Sequence, residues 1–336
     1  MTSARSSVDG PDAGEPRLDG ARGVTRKTVI ILPAYNEEMT LRGTMLDFHA
    51  HCPEAEIVVV DNNSSDRTRH VADETLRELG CRGAVLSEKR QGKASALRKA
   101  FHEIEADAYV VVDADLTYPA KDLRQLLDPI LAGEADMAVG DRHADGRYAR
   151  ENKRSFHNFG NRLVRTLINA LFEAEIRDVM SGYRVMNRKF VKNFPILTGG
   201  FEIETELTVH ALDKRFRIVE APVAYRDRPD GSASKLNSVR DGLRVLKTIF
   251  VLFKDYKPLA FFATLSLLFF VASLAGGAPV LLEFARTRYI THVPLALLAV
   301  GLMIVSLLMF SVGLILDAVV RFHRFDYEHD LLRRRE

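Results

Sequence analysis

Near the C-terminus lie two charge-free stretches, Leu259–Leu282 and Val293–Leu316, each 24 residues long. They limit the possible folds of this chain more than any other feature. As a helix each would run about 36 Å, enough to cross the hydrocarbon core of a bilayer with some tilt. Glu283 to His292 joins them and permits a tight hairpin. Lys247, Lys254 and Lys257 precede the first stretch, and Arg321, Arg324 and Arg333 to Arg335 follow the second. The connection holds only Arg286 and Arg288. This bias predicts both termini on the cytoplasmic side of the inner (plasma) membrane, with the remaining domain in the cytoplasm.

Composition matters at the other end. Residues 1–25 are dominated by Gly, Asp, Arg, Ser and Pro, which bury too little surface to order a chain. They also lack the apolar core of a signal peptide. A formal net charge of +2 gives no reason to expect nucleic acid as a partner. Cys52 and Cys81 have no C-x-x-C spacing, which suits a reducing compartment.

Between these ends, apolar runs alternate with helical patterns. Lys27–Leu32 reads as a buried strand stopped by Pro33 and followed by Ala34-Tyr35-Asn36-Glu37-Glu38. Glu56–Val60 is a second strand, running into Asp61-Asn62-Asn63-Ser64-Ser65-Asp66 and a helix over Arg67–Leu79. A weak strand at Gly83–Ser87 precedes Gln91-Gly92-Lys93 and a helix from Ala94 to Glu105. Tyr109–Val112 then drives a β-branched strand into Asp113-Ala114-Asp115, and Ala135–Val139 ends in Gly140-Asp141-Arg142. This order predicts an open, mainly parallel α/β sheet. Ligands bind such sheets at the carboxyl ends of the strands, where these four polar clusters converge. Paired acids at a buried strand end need a neutralising partner, and a divalent cation carrying a phosphorylated ligand is the expected one.

The usual glycine cradles for phosphate are missing. No G-x-G-x-x-G follows the first strand, and Gln91-Gly92-Lys93-Ala94 lacks the leading Gly and the Ser/Thr of a P-loop. Farther on, Asn152–Phe172 is helical with an apolar face of Phe156, Phe159, Leu163, Leu167 and Leu171, and Arg217–Ala221 is a short strand. The segment Arg226 to Lys235 is basic and glycine-containing, suited to closing over an anion. Val239, Leu243, Leu246, Phe250 and Phe253 repeat at helical spacing opposite Arg240, Arg244 and Lys247, as in an interfacial amphipathic helix.

Taken together, ILPAYNEE, VVVDNNSSDRT, QGKASAL, VVDADLTYP, DVMSGYR and the Arg228…Ser234-Lys235 loop resemble family-two glycosyltransferases of the GT-A fold, in particular the polyprenyl-phosphate glycosyltransferases related to dolichyl-phosphate mannose synthase. The resemblance runs from about Val29 to the C-terminus. It implies a nucleotide-sugar pocket built from Pro33, Tyr35, Glu37, Asp61, Asn62, Asp113, Ala114 and Asp115. Asp113 and Asp115 would hold Mg²⁺ or Mn²⁺. Arg142, Arg154, Arg184, Arg228, Ser234 and Lys235 would contact donor or acceptor phosphates, and Asp178 and Asp115 would serve catalysis. Relatives often carry Asp where Asn62 stands and Gln where Thr117 stands.

The implied activity is inverting transfer of one hexose from a UDP- or GDP-linked sugar to a polyprenyl phosphate. Self-association through the membrane helices is also implied, with Gly276-Gly277 as a local cue. The division that follows is a tail (1–25), a catalytic domain (26–236), an interfacial helix (237–257), a membrane anchor (258–320) and a basic tail (321–336). Two alternatives stand beside it. A processive polysaccharide synthase would carry a Q-x-x-R-W motif, and this chain has no Trp. A membrane-anchored nucleotide-sugar binder without turnover would need no phosphate nucleophile positioned at the bilayer.

Overall fold

The computed structural model describes residues 26–144, 155–196, 203–226, 247 and 250–333. The expected alternation forms β1 (Thr28–Ala34), α1 (Leu41–His51), β2 (Glu56–Asp61), α2 (Thr68–Leu79), β3 (Gly83–Ser87) and α3 (Lys93–Glu103). Then come β4 (Ala108–Val111), α4 (Leu123–Leu131) and β5 (Met137–Asp141). After α5 (Ser155–Phe172) the chain adds β6 (Arg184–Asn187), α6 (Arg188–Asn193), α7 (Ile203–Asp213) and β7 (Ile218–Pro222). The seven strands lie in the order β3-β2-β1-β4-β6-β5-β7.

All pairings are parallel except those of β6, which runs antiparallel to β4 on one side and to β5 on the other. The strands expected from the sequence do not include β6. Four residues are too few to show a period, and β6 is held by its pairing with β4 on one side and β5 on the other.

The strands read as unbroken apolar runs because both sheet faces are covered. Ile30 and Leu32 pack with Leu41, Phe48 and Leu126 from α1 and α4. Their neighbours Val29 and Ile31 point the other way, to Leu97, Phe190 and Leu207 from α3, α6 and α7. Helix α5 departs from its expected stripe. Phe156 and Phe159 of that stripe lie outside the described side chains; among the rest, Val164 and Ile168 are buried and packed with Val209 and Leu252, whereas Leu163 is exposed. Apolar residues occur around most of α5, so spacing alone could not choose the buried face.

The two charge-free stretches lie within α8 (Pro258–Thr287) and α9 (Val293–Arg333). Both helices are long and apolar enough to cross a membrane. They pack as a hairpin, with Ser266 Oγ donating to Ser306 O at 2.8 Å and Ser273 Oγ donating to Ala299 O at 2.7 Å. A Cβ at Gly276 or Gly277 would make ordinary contact with Ala299 of the same chain, so this glycine pair faces the other helix of the hairpin. Helix α9 continues through residues 321–333, where a basic tail was expected, because its last turns dock on the sheet domain through Arg324 and Asp213.

Most of the expected interfacial helix lies outside the described residues. In its described part, Leu252 is buried against α5, Tyr256 meets the Phe172 ring edge-on, and Phe250 is exposed.

Candidate functional site

Parallel register brings the strand ends to one edge. Ala34 lies opposite Asp61, and Val112 N–H donates to Ile31 O at 3.3 Å. Just beyond this edge Lys93, the first residue of α3, bridges two acids. Its Nζ lies 2.5 Å from Asp113 Oδ1 and 2.6 Å from Glu204 Oε1, in the first turn of α7. Burial works against the ammonium, but the two carboxylates outweigh burial and hold its pKa above the ordinary lysine value.

Gly182 closes this cluster from the D-x-x-S-G-x-R segment. A Cβ there would sit 2.4 Å from Asp113 Oδ2, so only glycine lets this backbone approach the acid. Its N–H donates to the buried Tyr118 hydroxyl at 3.0 Å. Asp115 turns inward, and its Oδ1 accepts from Thr117 N–H at 3.1 Å and Thr117 Oγ1 at 2.5 Å.

Asn62 holds the loop that supplies Lys93. Its Nδ2 donates to the carbonyls of Glu88 at 3.2 Å and Arg90 at 2.7 Å, and its Oδ1 accepts from Gly92 N–H at 2.6 Å. A carboxylate could accept the last of these bonds but could not donate the first two. Gly92 has φ +123°, a conformation that disfavours any side chain. At the end of β1, Asn36 accepts from Ser65 N–H and donates its own N–H to Ser64, joining the Tyr35–Glu37 turn to the loop after Asp61. Glu37 accepts from Thr40 Oγ1 at 3.0 Å, and Asp61 accepts from Ser64 N–H at 3.2 Å. Pro33 and Tyr35 are half-buried at this edge, and Ala114 is buried.

A second charged pair sits at the end of β5. Arg142 grips Asp178 with two parallel bonds, Nε to Oδ2 at 2.7 Å and Nη2 to Oδ1 at 2.8 Å. Burial favours the neutral acid, but the bonds from Arg142 prevail and hold the Asp178 carboxyl below the usual carboxylate range. The carboxylate of Glu220 accepts the Asp178 N–H at 2.9 Å from the opposite side.

Residues 29–194 match the family model described as "Glycosyl transferase family 2". Glycosyltransferase AglJ of Haloferax volcanii is 31% identical over 302 residues, covering 88% of this chain and 94% of that protein. The chain belongs to glycosyl transferase family 2. Polyprenol monophosphomannose synthase of Mycolicibacterium smegmatis is 29% identical to this family 2 chain, covering 62% of it and 80% of the relative. Dolichol-phosphate mannosyltransferase of Pyrococcus furiosus is likewise 29% identical, covering 62% of this chain and 58% of the relative. The GT-A fold is shared with glucosyl-3-phosphoglycerate synthase of Mycobacterium tuberculosis, solved with Mn²⁺, UDP-glucose and glycerol 3-phosphate. That match has a TM-score of 0.51 and 22% identity, covering 68% of this chain and 80% of that one.

Within this family 2 site the expected residues divide sharply. Asp113, Asp115, Asp61 and the Tyr35–Glu37 turn are positioned by adjoining parallel strands of one sheet. Arg184, expected at a phosphate, is instead buried: its Nε donates to Ser181 O at 2.9 Å and its Nη2 to Val179 O at 2.6 Å. Burial lowers its pKa to about 10. Arg184 therefore holds the D-x-x-S-G-x-R turn closed, with its guanidinium engaged by backbone carbonyls. Arg142, also expected at a phosphate, pairs with Asp178 and lies 5.5 Å from the Tyr225 ring centre. Arg154, Arg228, Ser234 and Lys235 lie outside the described residues.

Lys93 and Glu204 were not singled out from the sequence. The available signal was a lysine opening a helix at the ligand edge of the sheet, but its loop had been set aside as a failed phosphate motif. The donor chemistry suits a hard divalent cation. Asp113 and Asp115 offer carboxylate oxygens, and no third His, Cys, Asp or Glu joins them among the described residues. Two carboxylates leave coordination positions for phosphate oxygens and water, the usual way Mg²⁺ is held. Asp113 already shares an ammonium with Glu204, so the cluster is built to take positive charge.

Proposed function

We propose that this protein transfers one sugar, with inversion, from a UDP- or GDP-linked donor to a polyprenyl phosphate at the cytoplasmic face of a membrane. The observation that carries the proposal is the partly exposed Asp113–Lys93–Glu204 cluster at the ligand edge of the sheet. It occurs in a chain that also carries two helices of membrane-crossing length. The names of the mycobacterial and archaeal relatives, which act on polyprenol and dolichol phosphates, support the acceptor class.

In this reading Pro33, Tyr35, Glu37 and Asp61 line the nucleotide pocket, and Asp113 and Asp115 hold Mg²⁺ or Mn²⁺. When bound, the cation supplies charge stabilisation to the departing nucleoside diphosphate. Lys93 adds a second positive charge beside Asp113 and can turn from that carboxylate to a phosphate oxygen. The acceptor phosphate has a second pKa of about 6, so it is already a nucleophile at neutral pH and needs no strong base. That fits Asp178, whose pairing with Arg142 suits positioning better than proton abstraction. Arg154, Arg228, Ser234 and Lys235 are the proposed contacts to donor and acceptor phosphates. Catalysis then rests on orientation and electrostatics.

The test is a screen of labelled UDP- and GDP-sugars with membranes containing the protein and undecaprenyl phosphate. Expected is a labelled lipid carrying a single sugar, lost in EDTA and restored by Mg²⁺ or Mn²⁺. Labelled polymer would overturn the single-transfer reading, and undiminished glycolipid in EDTA would overturn the metal role.

A further inference from the structure

A cavity of about 900 Å³ lies between the catalytic domain and the last turns of α9. Its walls come from the far ends of α3 and α7, from α6 and the residues after it, and from Asp255 and Tyr256. It is not the donor site. Lys93 and Glu204 open α3 and α7, whereas the lining lies farther along: Arg98 five residues on, about 7–8 Å by helical rise, and His102 and Asp213 nine residues on, about 13 Å.

The lining is amphiphilic and graded. Val319 and Val320, within about one turn of the end of the charge-free stretch, line it together with Phe194 and Ile196. Arg98 and His102, one turn apart on α3, line it with His323 from α9. None of these three side chains has an ion pair or hydrogen bond among the described residues. In the wall, the buried His210 Nε2 and Lys214 Nζ make no hydrogen bond among the described residues. The acids nearby are mostly answered. Asp213 is held by Arg324 Nη2 at 2.6 Å and lies 3.3 Å from Lys214, while Asp255 pairs with Lys254. Asp330 is exposed.

The geometry points to a binding site for the phosphate headgroup of an anionic membrane phospholipid. Arg98, His102 and His323 receive the phosphate, and Val319, Val320 and Phe194 receive the glycerol and the first acyl carbons. The half-buried guanidinium of Arg98 and the exposed imidazoles of His102 and His323, none with a partner among the described residues, leave donors available to an anion. An apolar wall continuous with a membrane-length helix favours one that carries a lipid tail. Since the cavity is remote from Lys93 and Glu204, this lipid is not the sugar acceptor. The inference rests on the reading of α8 and α9 as a membrane anchor, but not on the sugar transferred.

The test follows the thermal unfolding of purified full-length protein in neutral detergent, without donor or acceptor. It is titrated with short-chain phosphatidylglycerol, short-chain phosphatidylcholine or inorganic phosphate. Expected is a saturable rise in Tm with phosphatidylglycerol that exceeds the rise with the other two. Arg98→Ala should weaken the apparent affinity about tenfold or more. Lys99→Ala removes the same charge one residue away, from a lysine paired with Glu103 outside the cavity, and should leave the affinity unchanged. Val320→Trp should block the shift by filling the apolar wall. An equal shift with phosphatidylcholine, an equal shift with inorganic phosphate, or equal losses in Arg98→Ala and Lys99→Ala would each overturn the proposal. None of these outcomes depends on turnover, so the lipid site can fail while the sugar-transfer reading stands, and the reverse.

Discussion

Two charged pairs stand at the same edge of one sheet and have opposite characters. At the end of β4, the Lys93 and Asp113 side chains are 26% and 32% exposed, and the lysine divides its ammonium between two acids. At the end of β5, Arg142 and Asp178 are 8% and 2% exposed and locked in a two-point grip. A half-solvated pair can exchange partners at modest cost because water screens the separated charges. A sealed pair cannot, since separating it strands a buried charge, at a cost of about 3–5 kcal/mol. The first pair is therefore suited to meeting a ligand, the second to holding the loop that carries Gly182 against Asp113.

The largest effects should separate the two regions cleanly. Asp113→Asn is expected to cut turnover about 10³-fold with little change in Tm, because the acid is half-exposed and its loss removes a charge from the donor edge. Asp178→Asn should instead lower stability by about 3–5 kcal/mol in denaturant titrations, with activity falling as the folded fraction falls. Replacing both partners, as Asp178→Leu with Arg142→Met, should recover part of that stability. Wild-type Tm together with lost turnover in Asp178→Asn would break the comparison and return Asp178 to the chemistry.

This contrast was only half legible in the sequence. Asp113 and Asp115 could be found because an apolar strand that ends in paired acids is visible within a dozen residues. The parallel half of the sheet could be found because strands buried on both faces are unbroken apolar runs. Arg184 could not be placed, since a guanidinium satisfied by the carbonyls of Val179 and Ser181 is a property of a folded turn. Glu204 is 111 residues from Lys93, so no local pattern joins them. Asn62 reads as a departure from the family pattern until its two donor bonds to Glu88 and Arg90 show why an amide serves there. The polar run of α9 was missed for a related reason: its residues are helical because Arg324 and Tyr327 have a domain to dock on.

A smaller effect sharpens the comparison at the exposed pair. Lys93→Met should raise the KM for the nucleotide sugar about 10- to 100-fold, since a charge-assisted bond to phosphate is lost. Inhibition by free nucleoside diphosphate should weaken in parallel, and Lys93→Arg should restore part of both. If kcat falls while the donor KM and the inhibition constant hold, Lys93 acts elsewhere in the cycle.

The smallest expected effect uses the neighbour of Glu204 on α7. Glu204 has Lys93 as a partner, whereas Glu206 has no ion pair among the described residues, and burial pushes its carboxyl up to about 7. Below the unfolded pKa of about 4.3 the group is neutral in both states and costs nothing. As pH rises through the folded value, the native state must carry an unpaired, half-buried charge, and stability is lost. Glu206→Gln removes that penalty, so its Tm should exceed wild type by about 2 °C at pH 8, with most of the gain gone at pH 5. Glu204→Gln should show no such gain, because Lys93 already answers that charge. An equal gain for Glu206→Gln at both pH values would mean that shape, not charge, sets the cost at this face of α7.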